Sequence, residues 1–227
     1  MRAFVAAAAL LTLVVAAPTA DAAKKKKIAV TAKKRKLTDL SIGAPWSGKL
    51  EAPAKLPPGD GYFLRRPWRT YGTKTTVGFV RGAIKDTLSA FPKAHVLAIG
   101  DISQEQGGFI SEHHSHQSGR DIDVGLFYTK QPKGYPEAFV NATASTLDCA
   151  KTWKLIWSFA RTQDEDGGVQ MIFLDNSLQA TLYKWAEDNK VKESRITIVK
   201  RLLKHEPNHQ NHIHVRFKCR DKDTACR

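Results

Sequence analysis

Seven of the eight histidines fall in two short windows. The first, SEHHSHQSGRDID, holds His113, His114, His116, Asp121 and Asp123; the second, HEPNHQNHIHVRF, holds His205, His209, His212 and His214. Imidazole and carboxylate are ligands that suit zinc, and a catalytic zinc site keeps three protein ligands plus one open position for water. A single histidine is more often an ordinary surface or core residue than a ligand. Two such windows, each touching a strand-like segment whose other side is apolar, point instead to a metal centre.

The segments that must position these side chains alternate in polarity. In DIDVGLFY, Ile122, Val124 and Leu126 share one face of a strand, while Asp121, Asp123 and Gly125 share the other. In HIHVRFKC, His212, His214 and Arg216 oppose Ile213, Val215 and Phe217. If the two strands pair, His214 approaches Asp123 across the ladder and His116 closes the tripod from the loop. Arg216, on the same polar face, either binds a substrate carboxylate or pairs with Asp121, since its planar fork matches a carboxylate.

Around this centre the pattern predicts a helix over 75–91, with Val77, Val80, Ile84 and Leu88 at three- and four-residue spacing and Pro92 as the stop. A short strand over 95–99 follows, then a loop rich in Gly, Gln and His through Arg120. Residues 152–162 read as a helix, 171–175 as a strand, and 177–189 as a helix capped by Ser177. The fold class is α+β: a single domain in which a small antiparallel sheet carries the metal site, flanked by helices and long loops. Of the five tryptophans, Trp153 and Trp157 lie four apart on a helix and read as core, while Trp46, Trp68 and Trp185 are the other candidates for stacking on sugars.

Charge and the N-terminus suggest where such a protein works. Residues 1–22 carry Arg2, an apolar run from Ala3 to Ala17 and an Ala20-Asp21-Ala22 site, the pattern of a cleaved export signal. Its removal would leave no transmembrane anchor and a periplasmic or secreted protein. Eight of the fourteen excess positive charges lie between Lys24 and Lys36, leaving +6 for residues 37–227. Like charges in a block repel and serve as interaction arms, here toward anionic envelope polymers. Specific nucleic-acid binding is not expected, because no aromatic-basic recognition motif accompanies the tail. Residues 23–60, basic and Pro-containing, are expected to be a disordered or extended lead-in, with the catalytic domain over 61–227. Of the three cysteines, Cys219 and Cys226 enclose a short polar loop and form the favoured disulfide, leaving Cys149 free; pairing of Cys149 with either remains the alternative.

The spacing His116-x2-Gly119-x3-Asp123, followed far downstream by His212-x-His214, resembles the zinc peptidases typified by lysostaphin and the D-alanyl-D-alanine carboxypeptidases. Within that group the chain most resembles the penicillin-insensitive murein endopeptidases, through Ile99-Gly100-Asp101, Gly107-Gly108, HHSHQSGRDID and the ending HQNHIHVRFKC. The resemblance spans about 62–226, with 129–170 divergent. It implies that His116, Asp123 and His214 bind one zinc, and that His212 acts as base or oxyanion stabiliser. It also implies that His209 is a second active-site histidine and that His113 stands near the metal for a further contact. No histidine lies between His116 and His205 to complete a second metal site. Tyr71, before the first helix, matches a family feature that lines the cleft, a structural turn being the other reading. The implied substrate is a D-amino-acid peptide bond in peptidoglycan, of the D-alanyl–diaminopimelyl cross-link type. A D,D-carboxypeptidase acting on stem peptides and a non-catalytic zinc-containing wall-binding module are the alternatives.

Overall fold

In the computed structural model, which describes residues 39–227, the chain opens with a hairpin of β1 (Leu40–Ala44) and β2 (Ser47–Glu51). The short strands β3 (Ala54–Lys55), β4 (Tyr62–Leu64) and β5 (Tyr71–Gly72) follow. Next come α1 (Lys74–Ala90), β6 (Leu97–Ile99), β7 (Asp121–Gly125), α2 (Cys149–Ala160) and β8 (Val169–Leu174). The chain ends with α3 (Asn176–Asp188), α4 (Glu193–Leu202), β9 (Leu203–His205) and β10 (His212–Phe217). The export segment and the Lys24–Lys36 arm lie outside the described residues.

Local chemistry sets the helix starts. Thr73 caps α1 by accepting from the Thr76 amide at 3.0 Å. Asp148 caps α2 by accepting from Lys151 N, so that helix starts three residues before the expected Thr152. The cap of α3 is Asp175 and not Ser177: the Asp175 carboxylate accepts from both the amide and the hydroxyl of Ser177. The pattern reading missed α4, although Ile196, Val199 and Leu202 repeat every three residues and are its buried positions.

Six strands form one mixed sheet in the order β4-β6-β7-β10-β8-β9, and the α+β class is as expected, with the small antiparallel sheet as its centre. Its centre, β6-β7-β10-β8, is antiparallel. Each edge pair is parallel, β4 with β6 and β8 with β9, because a crossover lies between its members: α1 for the first, α3 and α4 for the second. One face carries Ile122, Val124, Ile213, Val215 and Phe217 into the core. There Phe217 stacks on Phe79 of α1 at 5.9 Å and meets Phe159 of α2 at 6.2 Å. Burying each such side chain is worth roughly 1.5–3 kcal/mol. A one-residue slip of β10 would exchange Ile213, Val215 and Phe217 for His212, His214 and Arg216. Hydrophobic burial therefore sets which face of β10 is displayed.

Residues 39–60 are part of this body rather than an extended lead-in, so the ordered region starts before the expected boundary at 61. Leu50 and Leu56 are buried. Buried Asp39 pairs with Arg220, whose guanidinium also holds Asp223. Gly43 N donates to Ala225 O and Arg227 N donates to Gly43 O, so the hairpin is laced to the C-terminal segment. The prolines and glycines of this stretch mark turns between short strands. The Cys219–Cys226 disulfide closes that C-terminal segment, and Cys149 is free.

Candidate active site

The β7–β10 register sets His214 opposite Asp123, Arg216 opposite Asp121 and His212 opposite Gly125. Alternation then turns Asp121, Asp123, His212, His214 and Arg216 toward the face away from the helices. His116 arrives from the preceding loop with a backbone φ of 66°, and three residues on Gly119 has φ of 69°. At Gly119 a Cβ would meet Leu50 Cδ2 at 2.7 Å and the Gly72 Cα at 3.0 Å, so both the conformation and the space require glycine. That turn brings the loop back over the sheet.

Three ligand-type atoms converge there. His116 Nε2 lies 3.2 Å from Asp123 Oδ1, His214 Nδ1 lies 3.3 Å from the same oxygen, and the two ring nitrogens are 3.3 Å apart. All three residues are buried. Asp123 Oδ1 has no hydrogen-bond partner among the described residues, despite two nitrogens within reach. His116 shows the cause: its Nδ1 lies 3.1 Å from the Ile102 carbonyl, and donation there leaves the lone pair of Nε2 turned inward. A buried carboxylate oxygen facing an imidazole lone pair is an arrangement that a cation satisfies. His113, His116 and Asp123 also offer ligand atoms all within 4.8 Å of one another, so this cluster could hold a metal ion.

The surrounding groups hold the cluster in place. Asp121 accepts from His116 N at 3.1 Å and from Arg216 Nε at 2.7 Å, and its Oδ1 lies 3.2 Å from His214 Nε2. Burial alone would raise the Asp121 carboxyl, but His214, His116 and Arg216 hold it well below the usual carboxylate range. Asp123 behaves likewise: burial opposes ionisation, and His116 and His212 outweigh it. His214 experiences the converse, since burial disfavours its charge while Asp121 and Asp123 push its pKa up to about 9. Asp101, buried at the end of β6, accepts from Arg66, Arg69 and His113, the last at 3.0 Å. His113 thus stands with Nε2 on Asp101 and Nδ1 3.8 Å from Asp123 Oδ2.

The other histidines form the wall. His212 Nε2 is 3.6 Å from Asp123 Oδ1, and Nδ1 meets Asn211 Oδ1 at 2.5 Å. Burial pushes its pKa down to about 4, with Asp123 opposing, so the ring is neutral at pH 7. Phe139 stacks flat on it, centroids 4.9 Å apart and 11° between planes, with Arg65 over the far side of Phe139 at 4.1 Å. Gly100 permits this, since a Cβ there would meet both Asp123 and Phe139 at 2.9 Å. His209 is more exposed, 4.5 Å from the His212 ring. His209 and His212, with His113, His116, Asp123 and His214, line a cleft of about 450 Å³, bounded also by Trp46, Glu112, Phe173, Glu206 and Arg216.

Of the residues singled out in the sequence, the structure brings together His113, His116, Asp123, His209, His212, His214 and Arg216. Tyr71 does not line the cleft: β5 pairs with β3, and the ring lies under Lys55. Arg216 pairs with Asp121, one of its two readings. Pattern reasoning gave no role to Asp101 or Phe139, while Trp46, a candidate for stacking on sugars, does line the cleft. Asp101 had a usable signal, an acidic residue closing the apolar run His95–Ile99; Phe139 had none, because a loop brings it in.

The model of the penicillin-insensitive murein endopeptidases matches residues 41–227, and the chain belongs to that family. It is therefore a peptidase of murein, with peptidoglycan as its substrate polymer and an extracytoplasmic place of action. No curated protein matches the chain significantly. Among the described residues no helix is long and apolar enough to cross a membrane.

Proposed function

We propose that the protein is a zinc metalloendopeptidase that hydrolyses D-amino-acid cross-link peptide bonds of the D-alanyl–diaminopimelyl type, after export to the periplasm or beyond. The observation that carries this reading is the triangle of His116 Nε2, Asp123 Oδ1 and His214 Nδ1, with sides of 3.2–3.3 Å, at the base of a cleft in a murein endopeptidase. Ligand atoms of a four-coordinate zinc at ~2.0–2.1 Å stand ~3.3 Å from one another, so the tripod fits that ion. His116, Asp123 and His214 would hold it; His113, tied to Asp101, stands beside it. When bound, zinc supplies Lewis acidity toward the scissile carbonyl and acidifies a water molecule.

The remaining steps belong to the protein's own side chains. His212 is neutral at pH 7 and lies within one small molecule of the tripod, so its ring takes the proton of the attacking water. The imidazolium so formed is stabilised by Asp123 at 3.6 Å and returns the proton to the departing amine. His209, 4.5 Å from the His212 ring and more exposed, stands where it can donate to the carbonyl oxygen as charge develops there. No serine nucleophile enters, so β-lactams leave the activity intact.

Digestion of purified sacculi with and without chelator, followed by mass identification of the released muropeptides, tests the reading. Monomers from cross-linked dimers, lost with chelator and restored by zinc, are the expected result. Release of terminal D-alanine alone would instead make the enzyme a carboxypeptidase. Retained wall binding with no products would make it a binding module.

A further inference from the structure

We propose that Trp46 and Arg216 form a subsite for a free carboxylate on the stem-peptide residue next to the cleaved amide. This rests on the hydrolase reading and adds what the cleft selects. Arg216 gives Nε and Nη2 to Asp121 at 2.7 and 3.4 Å, and its Nη1 has no hydrogen-bond partner among the described residues. The guanidinium is fixed from two more directions, with its carbon 5.8 Å from the Trp46 ring and 5.5 Å from the Phe173 ring. A guanidinium held on three sides at the wall of the cleft, with one nitrogen left without a protein partner, is preorganised for an anion and loses little freedom on binding it.

Its distance from the chemistry is set by Asp121, whose carboxylate touches both Arg216 Nε and His214 Nε2. Arg216 follows His214 by two positions on one strand face, about 7 Å on. That is the reach of a substituent on the residue bearing the cleaved bond.

Trp46 supplies the apolar side. It is 61% exposed, and of the large exposed apolar residues it is the one that lines the cleft. It sits at the tip of the β1–β2 hairpin, where Pro45 O accepts from Gln117 N at 2.9 Å, locking the tip to the residue after His116. An indole held at a catalytic cleft offers a flat surface to the hydrocarbon part of the residue whose carboxylate meets Arg216.

The test uses two soluble stem peptides that differ only in that group, one with the free carboxylate and one with the carboxamide. Calorimetry on the zinc-loaded wild-type protein is expected to show the acid binding about 10- to 100-fold tighter, the range for hydrogen bonds to charged groups. The preference should fall to about threefold or less in Arg216→Gln, whose guanidinium is gone. Trp46→Ala should weaken both peptides about fivefold while keeping their ratio. Equal binding of the two peptides, no binding of either, or a ratio unchanged in Arg216→Gln would overturn the subsite. The peptide exchange leaves the protein unaltered, so it decides even where Arg216→Gln fails to fold. Turnover of the matching cross-linked dimers separates the two claims. Acid preference without hydrolysis removes the hydrolase reading alone, and hydrolysis without preference removes the subsite alone.

Discussion

Replacing Asp121 by Asn tests whether the metal tripod is held from behind by this carboxylate. Asp121 is buried and contacts three groups at once: His116 N at 3.1 Å, Arg216 Nε at 2.7 Å and His214 Nε2 at 3.2 Å. All three are donors or can be, and a carboxylate has lone pairs for each. An asparagine of the same shape keeps one accepting oxygen and sets an NH2 against a donor. The fold then loses a charge-assisted hydrogen bond worth about 1.5–3 kcal/mol. Arg216 is left in place without its counter-ion, and breaking such a buried pair costs up to about 3–5 kcal/mol. The ligand-type rings suffer too, since His116 loses a charged acceptor for its backbone N–H and His214 the negative charge 3.2 Å from its Nε2. Loss of such a supporting carboxylate weakens metal binding about 10- to 100-fold. Chelator-competition titration gives the zinc affinity, and urea unfolding of the metal-free protein gives the stability change. Asp86→Asn is the control, because Asp86 pairs with Lys154 and Ser158 between α1 and α2, away from the cleft. An Asp121→Asn protein with native circular dichroism and zinc affinity within about twofold of wild type would refute the reasoning.

His212→Ala should keep zinc bound, by metal analysis, while hydrolysis of cross-linked muropeptides falls about 10²–10⁴-fold, the usual contribution of a general base. Gly119→Ala forces a Cβ to within 2.7 Å of Leu50 at a φ of 69°, and thermal denaturation should show a loss of about 2 kcal/mol or more. Cys226→Ser opens a loop with a sequence separation of 7 and should cost about 2–3 kcal/mol in urea, with the C-terminal segment over β1 the first to gain hydrogen exchange. Stability should also fall in acid. Burial acts to raise the Asp39 and Asp101 carboxyls, but Lys74 N and Arg220 at the first, and His113, Arg66 and Arg69 at the second, set both below 3.8. Each therefore contributes stability that is whole above about pH 4 and is lost as pH falls through the lowered folded values. Urea midpoints between pH 5 and 2 should drop less steeply in Asp39→Asn than in wild type.

The candidate metal residues were legible because the same alternation recurs in two segments rich in ligand-type side chains. The alternation in DIDVG and HIHVRF told which side chains share a face, and the residue types on that face told what they could bind. The class of fold followed from the same patterns, and most helices from their apolar spacing. Other features depended on contacts far apart in the chain. The hairpin at 40–51 reads as a Pro- and Gly-rich lead-in until Asp39 meets Arg220 and Gly43 meets the C-terminal segment, partners over 180 residues away. The parallel edge strands are too short to carry a pattern of their own.

What the sequence determined by itself is the donor set and the faces: imidazoles and carboxylates, placed two apart on strands whose other sides are apolar. Burial of those apolar sides fixes which face is displayed, and side-chain periodicity is local, so a linear reading can reach it; the register that sets His214 opposite Asp123 belongs to the tertiary structure. Tertiary structure alone decided how that set is held and what it faces. Asp121 joins His214 to Arg216, Asp101 anchors His113, Phe139 lies flat against His212, and Trp46 stands over the cleft. Each is a contact between segments whose separation in sequence carries no signal, made because the sheet brings them within a few ångströms.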